Sequence, residues 1–260
     1  MQWSVKRALR LWTKAFEPMV HSFMISPDPH PDTAPKGSDH LKDGTFPLAR
    51  EGWPFIGVGL GVGAVCTLVG LEGLAWAAWA FGAFSLVFFR NPNRHVPTGD
   101  GIAVSPADGK VIAVEKAFEP HLLGEEALHI AIFLNVVNVH VNRVPVRGKV
   151  IETVYHPGRF LSATMDKCAE ENEKNHVILE CDEEGARGTR VLVTQIAGLI
   201  ARRIVNHGRV GDRYERGEPF GLIRFGSRTD VWLPAHAAPL VKVGDRVRGG
   251  VSVLGEWDVS

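Results

Sequence analysis

From Trp53 to Phe89 the chain is almost wholly apolar, with Glu72 as its only charge. A helix needs about 20 residues to cross a bilayer core, so the run is long for one pass. It divides at Gly70-Leu71-Glu72-Gly73-Leu74 into halves of about 17 residues, at the short limit for a span. Lys42 and Arg50 precede the run and Arg90 and Arg94 follow it, while the middle carries no basic residue. Basic flanks at both outer ends favour a helical hairpin over residues 51–90 with both ends in the cytoplasm. The run is too long and too far from residue 1 for a cleaved signal. A buried hairpin in a soluble protein and a shallow, non-spanning hairpin are the other forms open to it.

Residues 1–17 wind into a basic amphipathic helix, with Val5, Ala8, Leu9, Trp12 and Phe16 on one face and Lys6, Arg7, Arg10 and Lys14 on the other. Such a helix can lie in a membrane interface or pack on the protein. Pro18 ends or kinks it, and residues 1–24 form one segment. Residues 25–50, rich in Pro, Asp, His, Lys and Gly, read as a flexible linker. The histidines there and nearby, His21, His30 and His40, read as solvated. Lys and Arg total 29 and so do Asp and Glu, so no global field draws the chain to nucleic acid, and no recognition motif is present. Cys66, Cys168 and Cys181 lack the spacing of a zinc or redox site. No metal is expected, and a reducing compartment fits.

From Pro92 the texture changes to short β-rich runs punctuated by Gly and Pro. They include residues 101–104, 110–114, 128–134, 136–141, 148–155, 175–181, 189–199 and 219–225. Residues 160–174 read as a charged loop with some helix. Ser105-Pro106-Ala107-Asp108-Gly109-Lys110-Val111 and the segment Leu240–Gly255 resemble the strand-and-turn signatures of lipoyl and biotinyl domains. The expected fold is therefore mainly β, a hybrid-barrel-like catalytic domain over residues 91–260 behind an N-terminal apolar helical hairpin. A carrier domain needs a lysine in a characteristic hairpin context, which is not found, so the likeness supports a fold type alone.

The stretch from Gly221 to Pro234 reads as two short strands broken at Gly226-Ser227. Gly-Ser is common turn chemistry, which reads as a hairpin turn between the two strands. It also permits another reaction, in which Ser227 Oγ attacks the Gly226 carbonyl and shifts the acyl group from nitrogen to oxygen. β-Elimination then leaves dehydroalanine, and hydrolysis releases ammonia and leaves a pyruvoyl cap on residue 227. A free serine hydroxyl is a poor nucleophile, so a base is required.

Several collinear segments bear on that choice: Phe88–Arg94, Ser105–Val111, Phe133–Pro145, Tyr155–Phe160, Glu171–Asn175, Gln195–Arg202 and the Gly226-Ser227 stretch with Asp-Val-Trp-Leu-Pro behind it. In this order they resemble the short form of phosphatidylserine decarboxylase, over about residues 50–255. The resemblance implies a proenzyme cut between Gly226 and Ser227. A large chain, 1–226, and a small chain, 227–260, would remain together as a heterodimer, with a higher oligomer left open. It implies a covalent pyruvoyl cofactor made from Ser227, which takes the serine amine of phosphatidylserine as a Schiff base. Loss of carbon dioxide then gives phosphatidylethanolamine.

By the same resemblance Asp108 is the acid that orients a histidine. His140 is the first candidate for the base, and it can also protonate the Cα carbanion. Long-form members carry a second histidine three positions later, where this chain has Arg143. His156 is the second candidate. His129, His176 and His207 receive no role. The substrate's phosphate and carboxylate suit guanidinium partners, and Arg143, Arg159 and Arg224 are the candidates. A bilayer substrate places the enzyme on the cytoplasmic face of the cell membrane. One rival is the same chemistry on a soluble amino acid, against which the apolar hairpin argues. Another is a membrane-tethered hybrid-barrel binding or carrier module that is never cut.

Overall fold

The structure, a computed structural model, describes residues 47–161, 171–198, 203–224 and 227–258. The expected amphipathic helix, most of the linker, Cys168, Gly226 and most of the 160–174 loop lie outside the described residues. Two helices open the described chain, α1 (Trp53–Leu68) and α2 (Glu72–Phe88). Pro54 in the first turn suits a helix start. Gly70, at φ 74°, makes the turn between the helices. The helices pack through small residues. A side chain on Gly59 would strike the Gly82 backbone at 2.6 Å, and one on Gly63 would strike the Trp79 ring at 2.8 Å. The remaining faces stay open, with Val65, Leu68, Val69, Leu71, Leu74 and Trp76 exposed.

The rest of the described chain is β. The strands are β1 (Ile102–Val104), β2 (Gly109–Glu119), β3 (Glu125–Leu134), β4 (Val141–Arg143), β5 (Gly148–His156), β6 (Lys174–Cys181) and β7 (Arg190–Ala197). They continue with β8 (Ile204–Asn206), β9 (Arg213–Tyr214), β10 (Pro219–Ile223), β11 (Ser227–Pro234), β12 (Ala238–Pro239), β13 (Arg246–Val247) and β14 (Val253–Glu256). One sheet runs β13-β2-β3-β11-β7-β6-β5-β9, and two small ones run β1-β14-β12 and β4-β10-β8. The expectation of a mainly β chain behind a helical hairpin holds.

Two local expectations change. Residues 136–141 do not form one strand. Asn138 folds back, its amide donating to the Asn135 carbonyl and its Oδ1 accepting from the Asn135 amide, both at 2.8 Å. This asparagine turn overrides the β-branched valines. Nor do the strands either side of Gly226-Ser227 pair as a hairpin. β10 lies between β4 and β8, whereas β11 lies between β3 and β7.

The strand pairings reveal two copies of one seven-strand unit. β1, β2, β3, β11, β12, β13 and β14 pair among themselves in the same pattern as β4, β5, β6, β7, β8, β9 and β10. The registers agree, including a bulge after Val111 in β2 and after Val150 in β5. Gly109 and Gly148, which open those strands, are matched glycines whose Cβ would strike the Phe133 and Glu180 carbonyls. Val243-Gly244-Asp245-Arg246 matches Val210-Gly211-Asp212-Arg213, with both glycines at positive φ, 102° and 100°. The second copy is inserted whole between β3 and β11 of the first. The two copies meet where β11 pairs with β7.

Candidate active site

Ser227 is the first residue of β11, paired with Leu134 on one side and Ala197 on the other. It is 0% exposed, and its Oγ has no hydrogen-bond partner among the described residues. Buried hydroxyls are nearly always bonded, so an unpartnered one needs an explanation.

His140 stands beside the chain leading to it. Its carbonyl accepts from the Ile223 amide at 3.3 Å, four residues before Ser227. Its ring is buried and stacks on Phe88, with centroids 4.1 Å apart. Nδ1 lies 3.0 Å from the Asn138 carbonyl, which can only accept, so Nδ1 carries the proton and Nε2 the lone pair. Burial pushes the imidazole pKa down to about 4. The Asn138 bond works against this shift and Arg90 works with it. The ring is therefore a neutral base at neutral pH. Phe88 belongs to an apolar cluster with Ala49, Phe89, Val139, Val141 and Leu222, so the foot of the hairpin packs directly behind His140.

Asp108 is engaged elsewhere. Arg94 Nη2 lies 3.0 Å from its Oδ2, and the Gly249 amide donates to its Oδ1 at 2.7 Å. A backbone carbonyl, not this carboxylate, holds Nδ1 of His140. Arg143 is buried and donates to the Gly217 carbonyl at 2.9 Å, to Asn91 Oδ1 at 2.6 Å and to the Pro92 carbonyl at 2.9 Å. It ties the segment after the hairpin to the β body. Arg224 is half-buried with its guanidinium 5.4 Å from the Phe55 ring centroid. Arg159 is exposed and pairs with Glu171 at 3.2 Å. His156 is exposed, and the pairing of His156 with Lys174 and of Lys174 with Ile196 puts it on the sheet face opposite Ser227. Gly226 lies outside the described residues. Among those described, no group of three or more His, Cys, Asp and Glu could hold a metal ion.

Two polar networks flank β11. On the Ser227 face, Asn142 Nδ2 donates to Thr229 Oγ1 at 3.2 Å, Gln195 Nε2 to Asn142 Oδ1 at 2.8 Å, and Asn175 Nδ2 to Gln195 Oε1 at 3.2 Å. On the other face, Arg228 clamps Asp230 with bonds of 2.6 and 2.8 Å, and His129 Nε2 reaches Asp230 Oδ2 at 2.9 Å. Burial alone would raise the Asp230 carboxyl, but His129 and Arg228 hold it below its ordinary value. None of these residues has a role that the sequence alone suggests. Asn142 and Gln195 do fall inside segments that carry the family resemblance, which is the signal that could have found them.

The phosphatidylserine decarboxylase family profile matches residues 81–255. The chain belongs to the phosphatidylserine decarboxylase family. The match takes in Asp108, His140 and Ser227 as well as both networks. The phosphatidylserine decarboxylase proenzyme of Symbiobacterium thermophilum is 49% identical over 212 residues, 80% of this chain and 94% of that protein. That of Syntrophus aciditrophicus is 47% identical over 219 residues, 84% of this chain and 100% of that protein. That of Geotalea uraniireducens is 43% identical over 215 residues, 83% of this chain and 99% of that protein. Phosphatidylserine decarboxylase chemistry is thus the frame in which the buried Ser227 hydroxyl is to be understood.

Proposed function

We propose that the chain is a self-cleaving proenzyme that decarboxylates phosphatidylserine to phosphatidylethanolamine. The observation that carries this reading is the buried, unpartnered Ser227 hydroxyl beside a strand held by a neutral histidine. His140 Nε2 takes the hydroxyl proton as Oγ attacks the Gly226 carbonyl. The ester formed on Oγ is lost by elimination, and residue 227 becomes the pyruvoyl-bearing end of the small chain. The site fits such a group, being buried and fixed by β3 and β7 on either side. The pyruvoyl group, once formed, supplies a carbonyl for the substrate amine and a sink for the electrons released with carbon dioxide. His140 is placed to return a proton to the substrate carbon. Asp108 is held by Arg94 and the Gly249 amide. The half-buried Arg224, beside the hairpin foot, is the best placed of the three arginines to meet a head-group phosphate.

The hairpin, residues 51–90, tethers residues 91–260 to the cytoplasmic face of the membrane. The helical stretch Arg50–Leu68 is long and apolar enough to cross a membrane, whereas Glu72–Phe88, at 17 residues, is at the short limit. The large and small chains stay joined because β11 lies between two strands of the large chain.

Intact-mass measurement of purified protein tests the reading directly. Two chains are expected, divided at residue 227, the smaller resistant to N-terminal sequencing and reducible by borohydride. Ser227→Ala is expected to stay whole and to release no carbon dioxide from phosphatidylserine vesicles. A wild-type protein that remains one chain yet decarboxylates the lipid sinks the proposal.

A further inference from the structure

The two copies of the seven-strand unit provide an internal control for the site. Each residue near Ser227 has a structural counterpart in the other copy, and the strand registers say which. Ser227 corresponds to Thr189, which precedes Arg190 just as Ser227 precedes Arg228. The Cys181 amide donates to the Thr189 carbonyl at 2.8 Å, at the register position where Leu134 faces Ser227. His140 corresponds to Gly101. The Trp257 amide donates to the Gly101 carbonyl at 2.8 Å, as the Ile223 amide donates to that of His140.

The buried amide network has no counterpart. Asn142 corresponds to Ala103, Gln195 to Leu233, Asn175 to Leu128 and Thr229 to Val191. All four counterparts are buried apolar residues. The surroundings otherwise agree. A Cβ on Gly221 would fall 3.1 Å from Gln195 Nε2, and one on Gly255 would fall 3.1 Å from Leu233 Cδ1. The same backbone thus packs around Ala103, Leu128 and Leu233 of the first copy with Val191 of the inserted one, and, in the symmetry-related place, around Asn142, Asn175 and Gln195 of the inserted copy with Thr229 of the first. Replacing a buried polar network by packed apolar groups is often neutral or stabilising. Stability therefore gives no reason for the polar set at one end only.

Position gives one. Thr229 is the next residue after Ser227 on the same face of β11. Asn142 is two residues beyond His140, on the strand that pairs with β10. The Asn142–Thr229 bond ties the chain bearing the base to the strand bearing the nucleophile. Gln195, paired with Thr229 in register, fixes the orientation of the Asn142 amide.

We propose that Asn142, Gln195 and Thr229 are positioning residues for self-cleavage, setting His140 against Ser227 through their hydrogen-bonded chain. This rests on the proposed self-cleaving function. The test transplants the apolar set from the symmetry-related place. A precursor with Asn142→Ala, Asn175→Leu, Gln195→Leu and Thr229→Val is compared with wild type for cleavage rate. The same four changes in a Ser227→Ala background are compared for thermal midpoint. The expected result is a midpoint at or above that of Ser227→Ala, with cleavage slowed by about 100-fold, the cost of a misplacement of roughly 1 Å. Thr229→Val alone is expected to slow cleavage by about tenfold, and Thr229→Ser to return it near the wild-type rate. Cleavage of the four-residue variant at the wild-type rate overturns the proposal. So does a midpoint that falls in step with cleavage, or equal loss in Thr229→Ser and Thr229→Val, since either outcome assigns the network to stability alone. A wild-type chain that never cuts fails at the earlier step and sinks the self-cleavage reading instead.

Discussion

At the scale of single residues, His140 carries the clearest electrostatic signature. Burial holds its pKa near 4, below the ordinary 6.5. The folded protein therefore keeps Nε2 free of a proton between those values, where the unfolded chain binds one. The stability this contributes is complete above about pH 6.5 and is lost as pH falls through about 4, roughly 3 kcal/mol at most. His176, also pushed to about 4 mainly by burial, acts in the same direction. Self-cleavage of purified precursor is expected to be flat from about pH 8 to 5 and to fall below that, with a midpoint near 4. His140→Gln should slow it by about 10²–10⁴-fold. A midpoint near 6.5 would show that a solvated histidine is the base. His140 and Ser227 were legible in the sequence because one side chain suffices to suggest each role. The partner of His140 was not. Asp108 stands in a motif that suggests an orienting acid, but the fold gives the task to the Asn138 carbonyl, and backbone acceptors leave no mark on composition.

At the scale of elements, the hairpin is the part most fully legible in advance, because an unbroken apolar run admits few structures. What sequence could not show is its packing. Gly59, Gly63 and Gly82 bring the helices close, leaving Leu68, Val69 and Trp76 at 86%, 62% and 75% exposure. Such a patch marks an interaction surface. Changing these three residues to Ser is expected to reduce flotation with zwitterionic vesicles at least about tenfold, given roughly 1.5–3 kcal/mol for each large apolar side chain. Cleavage should continue, since the site lies at the other end of the hairpin. Vesicles without anionic lipid keep the basic residues of the first segment from masking the effect. Unchanged flotation would assign the patch to a protein partner. The same packing places Phe88 on His140, so one helix carries both the exposed apolar surface and the wall of the site.

At the scale of the whole molecule, the doubled unit was invisible in the sequence for a definite reason. One copy interrupts the other, so no fixed period runs along the chain. The surviving identities are short, such as Gly109-Lys110-Val111-Ile112 against Gly148-Lys149-Val150-Ile151. They mark tight turns and close backbone approaches, which constrain side chains more than strand faces do. Ser227 opens β11, where the first copy resumes after the inserted one. The position of β11 between β3 and β7 has a consequence for the life history of the protein. While the chain is whole, that strand finds its slot as part of one polymer. After the proposed cut, a detached small chain must find it by diffusion. Ser227→Ala precursor should regain its fold from urea at a rate independent of protein concentration. Recovery of the cut protein should decline on dilution, measured by circular dichroism across a hundredfold range of concentration. Equal recovery at every dilution would mean that the two pieces never separate in urea. With the proposed cut, each molecule has one good opportunity to assemble, before the cut, and afterwards its persistence depends on how slowly it comes apart.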